Sequence, residues 1–85
     1  MMVLNTRKIY TSSLPVDIIT YIRAWFHEAT NKKWKSYSEL KEDYPCCLSH
    51  NNKVHFPIAG TTYVIITRIN FAIEVVLILE IQVNE

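Results

Sequence analysis

The order of sequence patterns along this 85-residue chain predicts an α+β domain. Apolar residues recur at helical spacing in the first half, whereas the last third is rich in Val, Ile, Thr and Tyr, as strands are. The connections within that last third are too short for a crossover helix, which favours antiparallel pairing. We therefore expect N-terminal helices packed on a small antiparallel β-sheet, with residues 1–85 forming a single domain.

The first half contains the longest predicted helix. Met2 to Leu4 is a short apolar stretch that suits an edge strand, and Arg7 to Ser13 suits a short helix. Pro15 then marks a helix start, because proline is tolerated in the first turn. The helix is predicted over Val16 to Thr30, since its apolar residues lie on one face. These residues are Ile18, Ile22, Trp25, Phe26 and Ala29.

A second, shorter helix is predicted after a break in this pattern. Ser36 and Glu39 have the spacing of a capping box, in which each side chain binds an unpaired amide at a helix start. The helix is expected over Tyr37 to Asp43 and to stop before Pro45, because the residue preceding a proline avoids the helical conformation. A loop is predicted from Cys46 to Asn52.

Three strands are predicted in the last third. They cover Lys53 to Ile58, Tyr63 to Phe71 and Glu74 to Val83, and a turn at Ala59 to Thr62 separates the first two. The side chains of the final strand are expected to alternate between the two faces of the sheet along its whole length. One of these faces would contain Glu74, Val76, Ile78, Glu80, Gln82 and Asn84.

The charges are unevenly distributed, although the net charge is only +1. Residues 1–35 hold six basic and two acidic side chains, and residues 36–85 hold three basic and six acidic ones. A polyanion would therefore meet the N-terminal half first.

No apolar run approaches the roughly 18 residues that span a bilayer, and the N-terminus lacks a signal-peptide pattern. We expect a cytoplasmic protein without a membrane partner.

The two cysteines give no sign of metal or redox chemistry. Cys46 and Cys47 are adjacent, and neighbouring cysteines rarely form a disulfide with each other, so two reduced thiols are expected. His50 and His55 lie nearby, but their spacing matches no common zinc pattern. We expect neither a metal nor another cofactor.

Short motifs spread along the chain share their order and spacing with one known family. They are Arg7-Lys8, Ala24-Trp25-Phe26, Trp34-Lys35, the Leu40 to Pro45 segment, the Asn52 to Ile58 strand, Gly60-x-x-Tyr63 and Arg68-Ile69-Asn70-Phe71. With them, the chain from about Val3 to Ile81 resembles the HigB toxins of bacterial type II toxin–antitoxin systems, which fall in the RelE-like superfamily. No single motif decides this resemblance; the shared order does.

The resemblance implies an mRNA interferase. Such toxins are metal-free endoribonucleases that cleave mRNA, commonly on the translating ribosome, and thereby inhibit protein synthesis. The partners implied are mRNA and a HigA-like helix-turn-helix antitoxin that neutralises the toxin.

Metal-free RNA cleavage uses the neighbouring 2′-hydroxyl as the nucleophile, so the protein must stabilise negative charge and transfer protons. Lys53 and Arg68 match basic positions of the family, and His55 alternates onto the same strand face as Lys53. We expect these three residues to be catalytic, with His50 a weaker candidate. Backbone contacts to RNA are expected from Arg7, Lys8, Lys32, Lys33 and Lys35, with Trp34 either stacked on a base or packed in the core.

Some positions depart from the family pattern. Val64 stands where the family has an arginine, and the stretch from Leu79 to Glu85 contains neither the family's arginine nor its His/Tyr element. Glu74 and Glu80 add carboxylates, which oppose the charge stabilisation that a phosphorane needs. Three interpretations therefore stay open: an active nuclease, a catalytically degenerate RelE-like domain that binds an antitoxin or RNA without cleavage, and an oligomerising structural protein. The last of these rests only on the very apolar final strand.

Overall fold

The described residues form a five-stranded β-sheet with two helices packed on it. The computed structural model describes residues 1–7 and 14–83. The strand order across the sheet is β1-β5-β4-β3-β2. The helices are α1 (Val16–Asn31) and α2 (Tyr37–Asp43), and the strands are β1 (Met2–Leu4), β2 (Leu48–His50), β3 (Lys53–Pro57), β4 (Tyr63–Asn70) and β5 (Val75–Val83).

This architecture confirms the predicted α+β class. Strands β3, β4 and β5 form the expected antiparallel meander, and β1 lies at the sheet edge. Strand β1 pairs parallel with β5, with Met2 opposite Val75, so the sheet is mixed. The helix predicted over Arg7 to Ser13 falls almost entirely outside the described residues.

The long helix α1 buries one stripe against the sheet. It extends one residue beyond the predicted Thr30 and begins directly after Pro15. Its fully buried residues lie on one face because they recur every three or four positions. The indole ring of Trp25 packs against the ring of Phe56 on β3, with their centroids 5.2 Å apart. The buried stripe is Ile18, Ile22, Trp25 and Ala29.

The carboxyl end of α1 is held by the start of the chain. Met1 is buried, and its ammonium group donates hydrogen bonds to the carbonyl oxygens of Ala29 at 3.1 Å and Thr30 at 3.2 Å, and to that of Lys32. The last carbonyls of a helix lack partners within the helix and carry partial negative charge, so a cation is favoured there. These bonds fix β1 relative to α1.

Helix α2 has the predicted boundaries and is anchored through Trp34. The side chain of Ser36 accepts a hydrogen bond from the backbone amide of Glu39 at 3.3 Å, which is half of the predicted capping box. Trp34 is buried, and its Nε1 donates to Asp43 Oδ2 at 2.8 Å. Trp34 therefore packs in the core and is not available to stack on a base. The ring of Tyr44 contacts it edge-on, with centroids 5.9 Å apart.

Strand β2 lies within the stretch predicted to be a loop. It pairs with β3 through a two-residue turn, with His50 opposite Lys53. The turn residues Asn51 and Asn52 have φ values of 50° and 63°, the left-handed conformation of a type I′ hairpin, which asparagine tolerates better than most residues. The strand is only three residues long and fully exposed, so no apolar alternation indicates it in the sequence.

A β-bulge interrupts the alternation of β5. Ile66 on β4 pairs with Glu80, whereas the next residue, Thr67, pairs with Ile78. Leu79 is therefore an extra residue without a partner on β4. A bulge of this kind adds one residue to one strand and shifts its alternation by one position.

The bulge makes the prediction of strict alternation in β5 wrong beyond Ile78. Val76 and Ile78 are buried in the core as one face. Glu80, predicted on that same face, is exposed, and Ile81 instead lies opposite the buried Ile65. The physical reason is that an extra residue reverses which side chains point inward.

Replacing Ile22 by alanine should lower the free energy of unfolding by about 2–5 kcal/mol, because the side chain is fully buried and its loss leaves a cavity. Urea denaturation would measure the change. Ile73→Ala is the matched control, since Ile73 is 67% exposed, and it should leave the midpoint nearly unchanged. Equal effects of the two substitutions would contradict the packing described here.

Candidate functional site

The two faces of the sheet have different environments. On β3, Val54 and Phe56 are buried in the core with α1, so the alternating residues Lys53 and His55 lie on the opposite face. We call this opposite side of the sheet the outer face. Both Lys53 and His55 are half-buried there.

Three basic side chains occupy neighbouring positions on the outer face. His50 pairs with Lys53 across β2 and β3. Val54 pairs with Thr67, so Lys53, one residue before Val54, lies beside Arg68 on β4. Side chains directly opposite on adjacent strands have Cβ atoms about 4.5–5.5 Å apart. We call His50, Lys53 and Arg68 the basic row.

His55 lies in the next row of the outer face. It is two residues from Lys53 on the same strand, which corresponds to roughly 7 Å along the chain. It pairs with Ile66, which in turn pairs with Glu80 on β5. The sequence-predicted residues Lys53, His55 and Arg68 thus share one face, and Glu80 lies on that face with them.

The electrostatics of the basic row favour an anion. Like charges directly opposite each other on neighbouring strands are destabilising, and Lys53 and Arg68 are such a pair. The row continues across the sheet with Leu77 and Leu4, so it contains no carboxylate. Glu80 lies in the next row, opposite Ile66, on the far side of the bulge from the partner of Arg68. Over the described ranges, Glu80 forms no ion pair with Arg68 or His55.

Two hollows adjoin these residues. A cleft of about 450 Å³ opens where β4 ends, and Arg68 lies at its border. A smaller hollow of about 210 Å³ is lined by His55 together with Tyr63 and Val64. Arg68 and His55 therefore border different hollows. The residues that line the larger one, which we call the β4 cleft, are Tyr37, Ser49, Asn52, Val54, Arg68, Ile69, Asn70 and Phe71.

The remaining predicted RNA contacts that the structure describes lie outside the strands of the basic row. Lys33 and Lys35 are exposed in the connection between α1 and α2. Lys32 forms an ion pair with Asp43, with Nζ 3.4 Å from Oδ2. Arg7 is exposed, and Lys8 lies outside the described residues. Among the described residues, these cations therefore lie on other elements than the strands that carry Lys53, His55 and Arg68.

The cysteines differ in environment. Cys46 is exposed and Cys47 is buried, and neither forms a disulfide. Burial raises the pKa of the Cys47 thiol, which disfavours its reactive thiolate form. Across residues 1–7 and 14–83, no three His, Cys, Asp or Glu side chains are placed to hold a metal ion together.

Comparison with known families identifies this chain. A family model described as the HigB toxin, the RelE-like toxic component of a toxin–antitoxin system, matches residues 19–83. The chain belongs to the HigB toxin family. The match covers β2 to β5, and so includes the basic row and His55. Membership implies an antitoxin partner for this HigB-family toxin.

Two further findings about the chain are negative. No curated protein matches it. In the described part of this HigB-family chain, no helix has the length and apolar character needed to cross a membrane.

The β4 cleft was not found from the sequence of this HigB-family protein. Single aromatic residues such as Tyr37 and Phe71 carry no signal of a shared cleft. The Asn51-Asn52 pair was a usable signal, since two consecutive asparagines favour a type I′ turn. Recognising that turn would have predicted β2 and placed His50 beside Lys53.

Acid should destabilise the wild-type protein more than Asp43→Asn. The hydrogen bond from Trp34 and the charge of Lys32 lower the pKa of Asp43 below its ordinary value. A carboxylate with a lowered pKa in the folded state stabilises the fold above its ordinary pKa, and this stabilisation is lost as the pH falls through the lowered value. Denaturant midpoints measured above and below that range would show the difference.

The control for this experiment is Glu42→Gln, which removes the adjacent exposed carboxylate of α2. It should keep the wild-type response to acid, because Trp34 binds Asp43 and not Glu42. Identical acid responses of Asp43→Asn and the wild type would show that the Trp34–Asp43 bond does not contribute as described.

Proposed function

We propose that this protein is an mRNA interferase, a metal-free endoribonuclease toxin that cleaves mRNA and inhibits protein synthesis. The observation that carries the proposal is the basic row, in which His50, Lys53 and Arg68 stand side by side without a carboxylate. This arrangement is unfavourable for the isolated protein and becomes favourable when a phosphate binds. Family membership supports the same conclusion, because these toxins are the toxic components of their systems.

In the proposed reaction, the 2′-oxygen of one ribose attacks the adjacent phosphorus. The bond between phosphorus and the 5′-oxygen breaks, which leaves a 2′,3′-cyclic phosphate and a 5′-hydroxyl. Lys53 and Arg68 stabilise the charge that develops on the phosphorane oxygens. His55, in the neighbouring row, transfers the proton that the 2′-hydroxyl loses or the 5′-oxygen gains.

The proposed partners follow from this reaction. The substrate is mRNA, including mRNA held on the ribosome, and the neutralising partner is a HigA-like helix-turn-helix antitoxin. Arg7, Lys8, Lys33 and Lys35 contact the RNA backbone beyond the cleavage site, and Lys32 does so after leaving its ion pair with Asp43. The proposed location is the cytoplasm, where mRNA is translated. Residues 1–85 act as one HigB/RelE-like toxin domain.

A second candidate function is a catalytically degenerate RelE-like domain that binds an antitoxin or RNA without cleaving RNA. It is favoured by Glu80, which lies exposed on the outer face in the row of His55. Val64 also supplies no cation at the position where the resemblance implies an arginine. Both features weaken the stabilisation of a phosphorane.

Expression of the protein in bacteria should arrest growth, and Lys53→Ala or Arg68→Ala should relieve the arrest. Removing one charge-stabilising donor lowers a rate by about 10²–10³. Growth curves and mapping of mRNA 5′-ends would measure both effects. Arg23→Ala is the matched control, because it removes an exposed cation of α1, and it should still arrest growth.

The degenerate domain predicts the opposite result. In that case, the wild-type protein neither arrests growth nor produces cleaved message, yet it still binds an antitoxin. Arrest that survives both basic-row substitutions would also overturn the proposed roles of Lys53 and Arg68.

Glu80→Gln should raise the affinity for RNA about fivefold, since a unit charge a few ångströms from a phosphate contributes about 1 kcal/mol in water. Fluorescence anisotropy with a labelled oligoribonucleotide at low salt would measure it. Glu39→Gln changes the net charge equally on α2 and should have little effect. Equal gains from both variants would mean that only net charge matters.

A further inference from the structure

We propose that the β4 cleft is a binding subsite for one nucleobase of a single-stranded RNA. This inference rests on the proposed RNA-directed function and adds a site to it. The cleft shares one residue, Arg68, with the basic row, whereas its strand residues Ser49, Val54 and Ile69 lie on the core face. Its volume of about 450 Å³ lies within the range of small-molecule sites.

Two aromatic rings line the β4 cleft. Tyr37 comes from α2 and Phe71 follows β4, and both are half-buried against the core. The hydroxyl of Tyr37 donates to the carbonyl oxygen of Cys47 at 3.2 Å, and Lys41 Nζ lies 5.7 Å from the centroid of its ring. The ring is therefore fixed before any ligand binds. Proteins that bind single-stranded RNA commonly stack its bases on aromatic side chains at their surface.

Two asparagines supply the polar edge that a base requires. The Oδ1 atom of Asn70 accepts hydrogen bonds from the backbone amides of Ala72 at 3.1 Å and Ile73 at 3.3 Å. These bonds orient the side-chain amide and leave its NH₂ group as a donor. Asn52 is exposed at the other side of the cleft, held in place by the hairpin turn. Amide groups match the donors and acceptors of base edges.

The charge of the β4 cleft also fits a nucleotide. Among the described residues that line it, Arg68 is the one charged side chain, and it is a cation. By contrast, a hollow of about 170 Å³ beside the end of α2 has Asp43 in its lining. A base in the β4 cleft would place its own phosphate near Arg68. One nucleotide would then contact the cleft and this one member of the basic row.

The binding of an uncleavable oligoribonucleotide, with 2′-O-methyl riboses, and of the four nucleoside monophosphates would test this site. Affinities are measured by calorimetry or by NMR titration. Phe71→Leu keeps an apolar side chain but removes the stacking surface, and it should weaken binding at least about fivefold. Phe71→Tyr keeps the ring and should bind like the wild type.

A second pair of variants tests the polar edge without disturbing the fold. Asn52→Gly removes the amide and keeps the left-handed backbone, because glycine adopts positive φ readily. It should lower the affinity and reduce the difference among the four bases. Asn51→Gly makes the same change one residue earlier, outside the cleft, and should leave the difference among the four bases unchanged.

The outcomes separate this subsite from the proposed cleavage. If the wild type binds the oligonucleotide but Phe71→Leu and Asn52→Gly bind equally well, the subsite is refuted and RNA cleavage by the basic row still stands. If the wild type cleaves no message but binds monophosphates in a manner that depends on Phe71, the subsite is supported and the proposed reaction fails. A wild type that binds neither ligand would overturn the subsite.

Discussion

The packing of α1 against β3 and β4 determines which face of the sheet is buried and which face can carry polar side chains. Trp25 stacks at a tilt on Phe56, and Ile22 is fully buried in the same core as Ile65. Since successive strand residues point to opposite faces, burying Phe56 on one side forces His55 onto the other. The outer face is therefore a consequence of how the core is packed. The polar chemistry of the protein is confined to positions that the core leaves free.

The tight hairpin between β2 and β3 then aligns the basic row. A two-residue turn with two left-handed asparagines fixes the register, so that His50 lies opposite Lys53. A register shift by one residue would move His50 to the other face of the sheet. The exposed strand β2 contributes no residue to the core cluster. In the described structure, β2 holds His50 beside β3 and contributes Ser49 to the β4 cleft.

Much of the fold follows from periodicity in the sequence. Helix α1 was predicted to within one residue and α2 was predicted fully, because a continuous apolar stripe and a capping serine are strong local signals. The shared face of Lys53 and His55 followed from simple alternation. Pairing of β1 with β5 could not be predicted in this way, because the strands that pair are distant in sequence.

The candidate site was only partly predictable for the same reason. The family resemblance indicates Lys53 and Arg68 as site residues. That these two residues are neighbours follows only from the β3–β4 register. The β4 cleft depends on α2 approaching the end of β4, which brings Tyr37 near Phe71 across a long stretch of chain. The β-bulge was missed because Leu79 is an apolar residue in an apolar run and breaks no visible pattern.

The extra residue at Leu79 also affects how this chain should be aligned with its relatives. Residues before the bulge keep one inside–outside phase, and residues after it keep the other. A relative with a regular final strand would match this chain up to Ile78 and then need a one-residue gap. Without that gap, an ungapped alignment would equate Glu80 with an inward-facing position and Ile81 with a solvent-facing one. Residue equivalences in the last strand are therefore best counted separately from each side of the bulge.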